Sequence, residues 1–242
     1  MNNLFKNVVV LGANGKIGQS FINQLKKLNE IESIYAFSRS QTNFNSQKVQ
    51  SFKLNYENEE EIKNAAIKAS KKHSIDLVIV ANGILHDKFT FPEKKLNDLS
   101  IEKFQKLFFV NTILPAIFAK HFLPYLSKNN CSTFAVMSAR VGSITDNRLG
   151  GWYSYRASKA ALNMIIKTLS IEIGRTRKNA IIIGLHPGTV DSPLSKPFQN
   201  NIPNKKLFTP DYSIKNLLNV ISELSPNDSG KVFAWDGKEI LP

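Results

Sequence analysis

The chain has 242 residues, 42% of them hydrophobic and 10% aromatic, which supplies a sizeable core and argues against disorder. One cysteine, Cys131, excludes an intrachain disulfide, and neither a signal peptide nor a run of 18 apolar residues stands out, so a soluble, cytoplasmic protein away from membranes is expected. The net charge of +13 is spread in pairs such as Lys26-Lys27 and Lys94-Lys95, so a generic basic surface is expected and no nucleic-acid partner.

Val8-Val9-Val10-Leu11 is a continuous apolar run of the kind shown by parallel strands covered on both faces. Gly12-Ala13-Asn14-Gly15-Lys16-Ile17-Gly18 follows, and then apolar residues at helix spacing: Ile17, Phe21, Ile22, Leu25 and Leu28. Glycines between a strand and a helix let the backbone turn sharply and approach a pyrophosphate, whose charge suits the helix N-terminus. The competing reading is a tight turn with no ligand. The next strand, Ser33-Ile34-Tyr35-Ala36-Phe37, ends in Ser38-Arg39-Ser40. A site for NAD would carry a carboxylate here; Arg39 suits a 2′-phosphate, so NADP is expected over NAD.

Phe52-Lys53-Leu54-Asn55 reads as a third strand. A charged helix over residues 57–73 turns Ile62, Ala65, Ala66 and Ala69 inward, and Asp76 to Gly83 reads as a buried strand with a small-residue turn. Strands alternating with helices predict a doubly wound parallel sheet with helices on both faces, α/β in class, built as one domain.

A polar loop over residues 86–98 leads to a long helix over residues 100–127. Asn111 lies among its apolar positions, either as a satisfied buried group or as the mark of a helix opened beside a site. Pro115 has no N–H to return to the Asn111 carbonyl. Ser132 to Ser138 reads as a strand ending in a serine at the carboxyl edge, where open α/β sheets bind ligands.

After a glycine-rich loop, a helix carries Tyr155 and Lys159 one turn apart on one face. A phenol of pKa about 10 beside an ammonium is a candidate proton donor and acceptor at a carbonyl or alcohol oxygen. In so lysine-rich a chain such a pair also arises by chance, and its weight comes from its setting. Ala180 to Leu185 forms another strand, followed by His186-Pro187-Gly188-Thr189-Val190-Asp191-Ser192, a helix over residues 211–224 and a last strand over residues 231–237. Residues 193–210 are expected to cover the pocket. The histidines and Cys131 lack ligand spacing and no glycine-flanked serine elbow is present, so neither a metal site nor a hydrolase triad is expected.

The ordered series Gly12…Gly18, Asn82-Gly83, Asn111, Ser138, Tyr155-x-x-x-Lys159 and Pro187-Gly188 resembles the short-chain dehydrogenase/reductases over residues 7–237. The resemblance is to the compact, single-domain branch with C-factor-like and carbonyl-reductase-like members. It implies a Rossmann-type fold, a homodimer or homotetramer joined through long helices, and NAD(P)-dependent hydride transfer to or from a small carbonyl or alcohol. By that resemblance Tyr155 is the acid/base, Lys159 holds the nicotinamide ribose and lowers the phenol's pKa, Ser138 orients the substrate oxygen, and Asn111 supports a proton-relay water.

The resemblance further implies cofactor contacts at Gly12, Asn14, Gly15, Lys16, Ile17 and Gly18, then at Ser38, Arg39, Asn55, Asn82 and Gly83. On the nicotinamide side it implies Tyr155, Lys159, Pro187, Gly188, Val190 and Ser192. Aligning Gly142 with the family's serine-x-x-glycine puts Ala139 at the serine position, which leaves Ser138 and Ser143 both open as the catalytic serine. A different class stays open too: a nucleotide-binding signalling or partner-binding protein of this fold with little catalysis.

Overall fold

The computed structural model describes residues 5–200 and 206–242. In chain order its elements are β1 (Asn7–Leu11), α1 (Lys16–Leu25), β2 (Ser33–Ser38), β3 (Val49–Lys53), α2 (Glu59–Ser70), β4 (Leu77–Val80), α3 (Ile101–Phe108), α4 (Leu114–Phe122), β5 (Ser132–Met137), α5 (Tyr153–Gly174), β6 (Ala180–His186), β7 (Thr189–Val190), β8 (Leu207–Phe208), α6 (Pro210–Glu223) and β9 (Val232–Ala234).

Seven strands pair in parallel in the order β3-β2-β1-β4-β5-β6-β9. The chain winds outward in one direction through β2 and β3, then returns past β1 and winds the other way. That reversal opens a crevice at the carboxyl ends of β1 and β4, the place where such sheets take ligands. The apolar runs serve two cores at once. Val9, Leu11, Val78 and Val80 face α2, α4 and α5, packing with Ile62, Phe118, Phe122, Leu162 and Ile166. Their neighbours Val8, Val10, Leu77 and Ile79 face α1 and α6, packing with Phe21, Ile22, Ile214 and Leu217. Period-two alternation divides one apolar run between two helix layers.

Several boundaries move relative to the sequence expectation. β3 begins at Val49 and ends at Lys53, so Leu54 and Asn55 lie beyond it. As an edge strand it is half-exposed, which removes the continuous apolar run that marks the others. α1 ends at Leu25, leaving Leu28 outside and exposed. α2 is shorter than residues 57–73 because Asn58 caps it by accepting the Glu61 N–H at 3.2 Å. β4 stops at Val80, and the last strand spans only Val232–Ala234.

The expected helix over residues 100–127 is broken. α3 and α4 are joined by one π-helical turn over Phe109–Ile113, in which the Leu114 N–H bonds the Phe109 carbonyl. Pro115, which cannot donate to the Asn111 carbonyl, is the sequence cause of this opening. The whole stretch Ile101–Tyr125 is long and apolar enough to cross a membrane, yet here half of its 18-residue apolar window is buried inside the protein.

Candidate active site

The β1–α1 turn is built to receive an anion. Gly12 takes φ +86°, and its N–H and that of Ala13 reach the Phe37 carbonyl at 3.0 and 3.1 Å. The Tyr56 hydroxyl braces the same point, lying 3.0 Å from the Gly12 nitrogen and donating to the Phe37 carbonyl at 3.1 Å. A Cβ on Gly18 would stand 2.3 Å from the Gly12 carbonyl oxygen, so this glycine is demanded by packing. Gly15 is not: the nearest atom to a Cβ there is 3.5 Å away. Its bareness leaves room for a ligand to lie against the backbone. α1 has no acidic residue in its first turn and no side-chain cap, and its first residue, Lys16, is exposed. Free N–H groups, a positive helix end and a loose cation fit a pyrophosphate. Gly18→Ala is expected to weaken binding of a nicotinamide dinucleotide at least about a hundredfold, because the two backbone segments must separate; fluorescence titration of the reduced dinucleotides measures it.

The loop after β2 presents Arg39 to solvent, and no carboxylate among the described residues pairs with it. Asn14, expected to touch the cofactor, holds this loop with its side chain. Its amide donates to the Ser40 carbonyl at 2.7 Å and to the Ser40 hydroxyl, while its oxygen accepts from the Ser38 hydroxyl at 3.0 Å and from Thr42. Asn14 therefore joins the phosphate turn to the segment carrying Arg39. Asn55, also expected at the cofactor, accepts the Glu57 N–H at 3.0 Å and closes its own turn.

The chemistry-bearing side chains converge at the carboxyl end of β4 and β5. Asn111 is fully buried and all its bonds go to protein: its amide donates to the Ile84 carbonyl at 2.9 Å and the Ser158 hydroxyl at 3.1 Å, and its oxygen accepts the Ile84 N–H at 2.9 Å. Both sequence readings of Asn111 hold together, a satisfied buried amide inside an opened helix. Thr112 adds a bond to the Ser158 carbonyl at 2.8 Å, stitching the π turn to α5. A Cβ on Gly83 would lie 3.7 Å from the Asn111 oxygen and 3.9 Å from Lys159 Nζ, so the turn after β4, the π turn and α5 meet at one point.

Tyr155 and Lys159 are both buried, with Nζ 5.9 Å from the phenol ring centre and donating to the Met137 carbonyl at 2.8 Å. The Tyr155 hydroxyl makes no hydrogen bond to any described residue. Burial pushes the phenol up to about 12 and the ammonium down to about 7. The expected lowering of the phenol by Lys159 is thus not present in the cofactor-free chain. Desolvation dominates, since it penalises both charged forms. At neutral pH the Tyr155 phenol keeps its proton.

The two candidate serines have separate hydrogen-bond partners. Ser138 follows β5 directly, and its hydroxyl donates to the Asn163 amide oxygen at 2.6 Å. Ser143 accepts the Asp146 N–H at 3.1 Å within its own turn. The residue that shares a small apolar cluster with Tyr155, Leu85 and Leu107 is Ala139.

On the far side, Gly188 takes φ +73°, where a Cβ would meet the Phe208 ring at 2.6 Å. The Ser213 hydroxyl holds the Pro187 carbonyl at 2.7 Å, and Ser195 bonds the buried Val190 carbonyl. The Ser192 carbonyl accepts the N–H groups of Ser195 and Lys196, opening a short helical turn at Lys196–Phe198. Burial holds His186, at the end of β6, down at about 4, so its ring is neutral. The expected cover over residues 193–210 is described in part, residues 201–205 lying outside the described residues. Phe198 leans on Trp152 with ring centres 5.0 Å apart, and Trp152 lies 6.1 Å from the Tyr155 ring. His86 Nε2 reaches the Pro193 and Leu194 carbonyls, both at 3.1 Å. Trp152, Phe198 and His86 escaped the sequence reading, and only the position of Trp152 just before the Tyr155 helix hinted at a role.

The sequence model of the short chain dehydrogenases matches residues 6–203. The C-signal protein of Myxococcus xanthus is 32% identical over 145 residues, which span 60% of this chain and 82% of that protein. An uncharacterised oxidoreductase of Schizosaccharomyces pombe is 25% identical over 256 residues, 96% of each chain. The solved structure of an NADPH-bound carbonyl reductase from chicken fatty liver is similar with a TM-score of 0.85 and 25% identity, covering 100% of this chain and 96% of that one.

Proposed function

This chain belongs to the short chain dehydrogenase family of NAD(P)-binding oxidoreductases, and from that premise we propose that it is an NADP-dependent reductase of small carbonyl compounds with Tyr155 as the acid/base. The observation that carries the reading is the unbonded hydroxyl of the Tyr155 side chain, which packs beside Lys159 at the carboxyl edge of the sheet. When bound, the nicotinamide supplies or accepts the hydride. The chain's own part is to deliver a proton from Tyr155 Oη to the carbonyl oxygen as negative charge develops there. The apolar wall of Leu85, Leu107 and Ala139 keeps water from that oxygen. Lys159 and Pro187 to Ser192 border the space for the nicotinamide and its ribose, and Gly12 to Gly18 the pyrophosphate. A panel of aldehydes, ketones and quinones with NADPH, followed by loss of its absorbance, tests the reading; no turnover of any class would reject it.

One observation favours the signalling alternative: the Ser138 hydroxyl donates its proton to the Asn163 amide oxygen at 2.6 Å. It predicts tight NADPH binding with an empty panel.

Arg39 supports the choice of NADP. Arg39→Ala is expected to weaken NADPH about tenfold or more and leave NADH nearly unchanged, the usual worth of a charge-assisted phosphate contact. Titration of both nucleotides into both proteins checks it, and a wild-type preference for NADH would remove the argument. The exposed apolar residues Ile113, Met164 and Ile171 on the π turn and α5 support association of subunits through these helices.

A further inference from the structure

Helix α5 starts without a cap of its own. Trp152, the residue before its first turn, takes φ +52° and ψ +41°, and its side chain bonds none of the free N–H groups. Such groups are ordinarily met by a Ser, Thr, Asp or Asn at that position. Here the partner comes from 61 residues upstream, in the loop after β4. Glu93 is fully buried, accepting the Ser154 hydroxyl at 2.6 Å through one carboxylate oxygen and the Ser154 N–H at 3.3 Å through the other. Its backbone carbonyl accepts the Trp152 N–H. The two chains run so close that a Cβ on Gly151, at φ +61°, would stand 3.3 Å from that carbonyl oxygen.

A buried carboxylate is costly unless its charge is answered. The positive end of a 22-residue helix and two donors answer it. What Glu93 fixes is the turn that carries Ser154 and, next along, Tyr155. It also holds the left-handed backbone of Trp152, whose ring stands between Tyr155 and Phe198.

We propose that Glu93 is a positioning residue for Tyr155: its buried carboxylate caps α5 from outside and sets the direction of the phenol hydroxyl and the seat of Trp152. The proposal rests on the acid/base reading of Tyr155.

The test compares Glu93→Gln, Ser154→Ala, the double variant and Tyr155→Phe. Four quantities are read: amide exchange over residues 153–156, NADPH affinity, and kcat and KM for the carbonyl best reduced in the panel. Glu93→Gln keeps the volume but turns an N–H₂ toward a helix end that needs an acceptor. It is expected to speed exchange at Ser154 and Tyr155 about tenfold and lower kcat about 10- to 100-fold, with NADPH affinity changed less than about threefold. Ser154→Ala removes the 2.6 Å bond and leaves the acid in place, so it still reports if the glutamine variant does not fold. It should lower kcat about threefold or more, and the double variant should be no worse than Glu93→Gln, because the two act as a unit.

A kcat within twofold of wild type despite faster exchange overturns the proposal and leaves Glu93 a stabilising cap only. A fall in kcat matched by an equal loss of NADPH binding overturns it as well. Normal turnover by Tyr155→Phe would instead strike the acid/base reading beneath it, and the two failures are told apart by that one variant.

Discussion

Tyr155→Phe is expected to lower carbonyl reduction about a thousandfold, within the range for loss of a positioned proton donor, while the fold and NADPH affinity stay nearly unchanged. The ring packs in a closed apolar cluster and will keep those contacts as phenylalanine. The hydroxyl bonds no described residue, so its removal strands no buried partner, the usual source of large losses on deleting a polar atom. The effect should therefore fall on kcat alone. Direction follows from the protonation state. With the phenol held up at about 12, Tyr155 carries its proton across the neutral range and is ready to reduce. Oxidation of an alcohol needs the phenolate, so its rate should climb with pH while reduction stays flat until strongly alkaline conditions. Steady-state rates in both directions between pH 6 and 10 decide this. Turnover surviving in the phenylalanine variant would remove Tyr155 from the mechanism.

The parts of this molecule that were legible in the sequence are those with a periodic or local cause. Fully buried strands must be apolar on both faces, so β1, β4, β5 and β6 stood out as runs. The freed Asn111 carbonyl could be read from Pro115 alone, because a missing N–H is a property of one residue, though the helix was expected to run unbroken through it. The glycine turn was visible for the same reason.

What escaped was set by direction or by distance. At the end of a strand, a shift of one residue exchanges faces. Whether Ser138 or Ala139 lies beside Tyr155 was therefore open in the sequence; in the structure Ala139 packs in the apolar cluster of Tyr155 and Ser138 bonds Asn163. Asn14 sits in a glycine-rich stretch that suggests ligand contact, yet its partners lie on β2 and the loop beyond it. Glu93 had no signal at all, for a cap supplied across 61 residues follows no spacing rule. For the Tyr155–Lys159 pair the sequence shows the neighbouring charge and hides the burial, and burial is the larger influence on both groups.

That same burial makes Lys159 the residue whose loss should improve the cofactor-free protein while silencing it. Its ammonium is buried and its pKa lowered to about 7, against about 10.5 when the chain unfolds. Between these values the unfolded chain binds a proton that the folded chain does not, so stability from this group rises with pH across roughly pH 7 to 10.5. Below about 7 the cost of burying the charge is borne in full. By the pKa difference it amounts to about 5 kcal/mol at most. Lys159→Met fills the same space without a charge. It gives up the 2.8 Å bond to the Met137 carbonyl, which offsets about 1 to 3 kcal/mol. A net gain of about 2 kcal/mol, or a rise in Tm of about 4–8 °C, is expected at pH 6. The gain should shrink by pH 8.5 and vanish or reverse near pH 10, where the wild-type lysine is neutral in the folded chain and little of the burial cost remains against the lost bond. Carbonyl reduction should fall about a hundredfold or more at pH 6, where the variant lacks the ammonium that the wild type holds beside the phenol. Thermal unfolding of both proteins without nucleotide, at pH 6, 8.5 and 10, reads the first effect, and NADPH oxidation reads the second. A lysine kept for packing would give the opposite result, a variant less stable at pH 6 than the wild type. A gain in stability coupled to a loss of turnover means that the fold tolerates a destabilising charge at the one place where the reaction uses it.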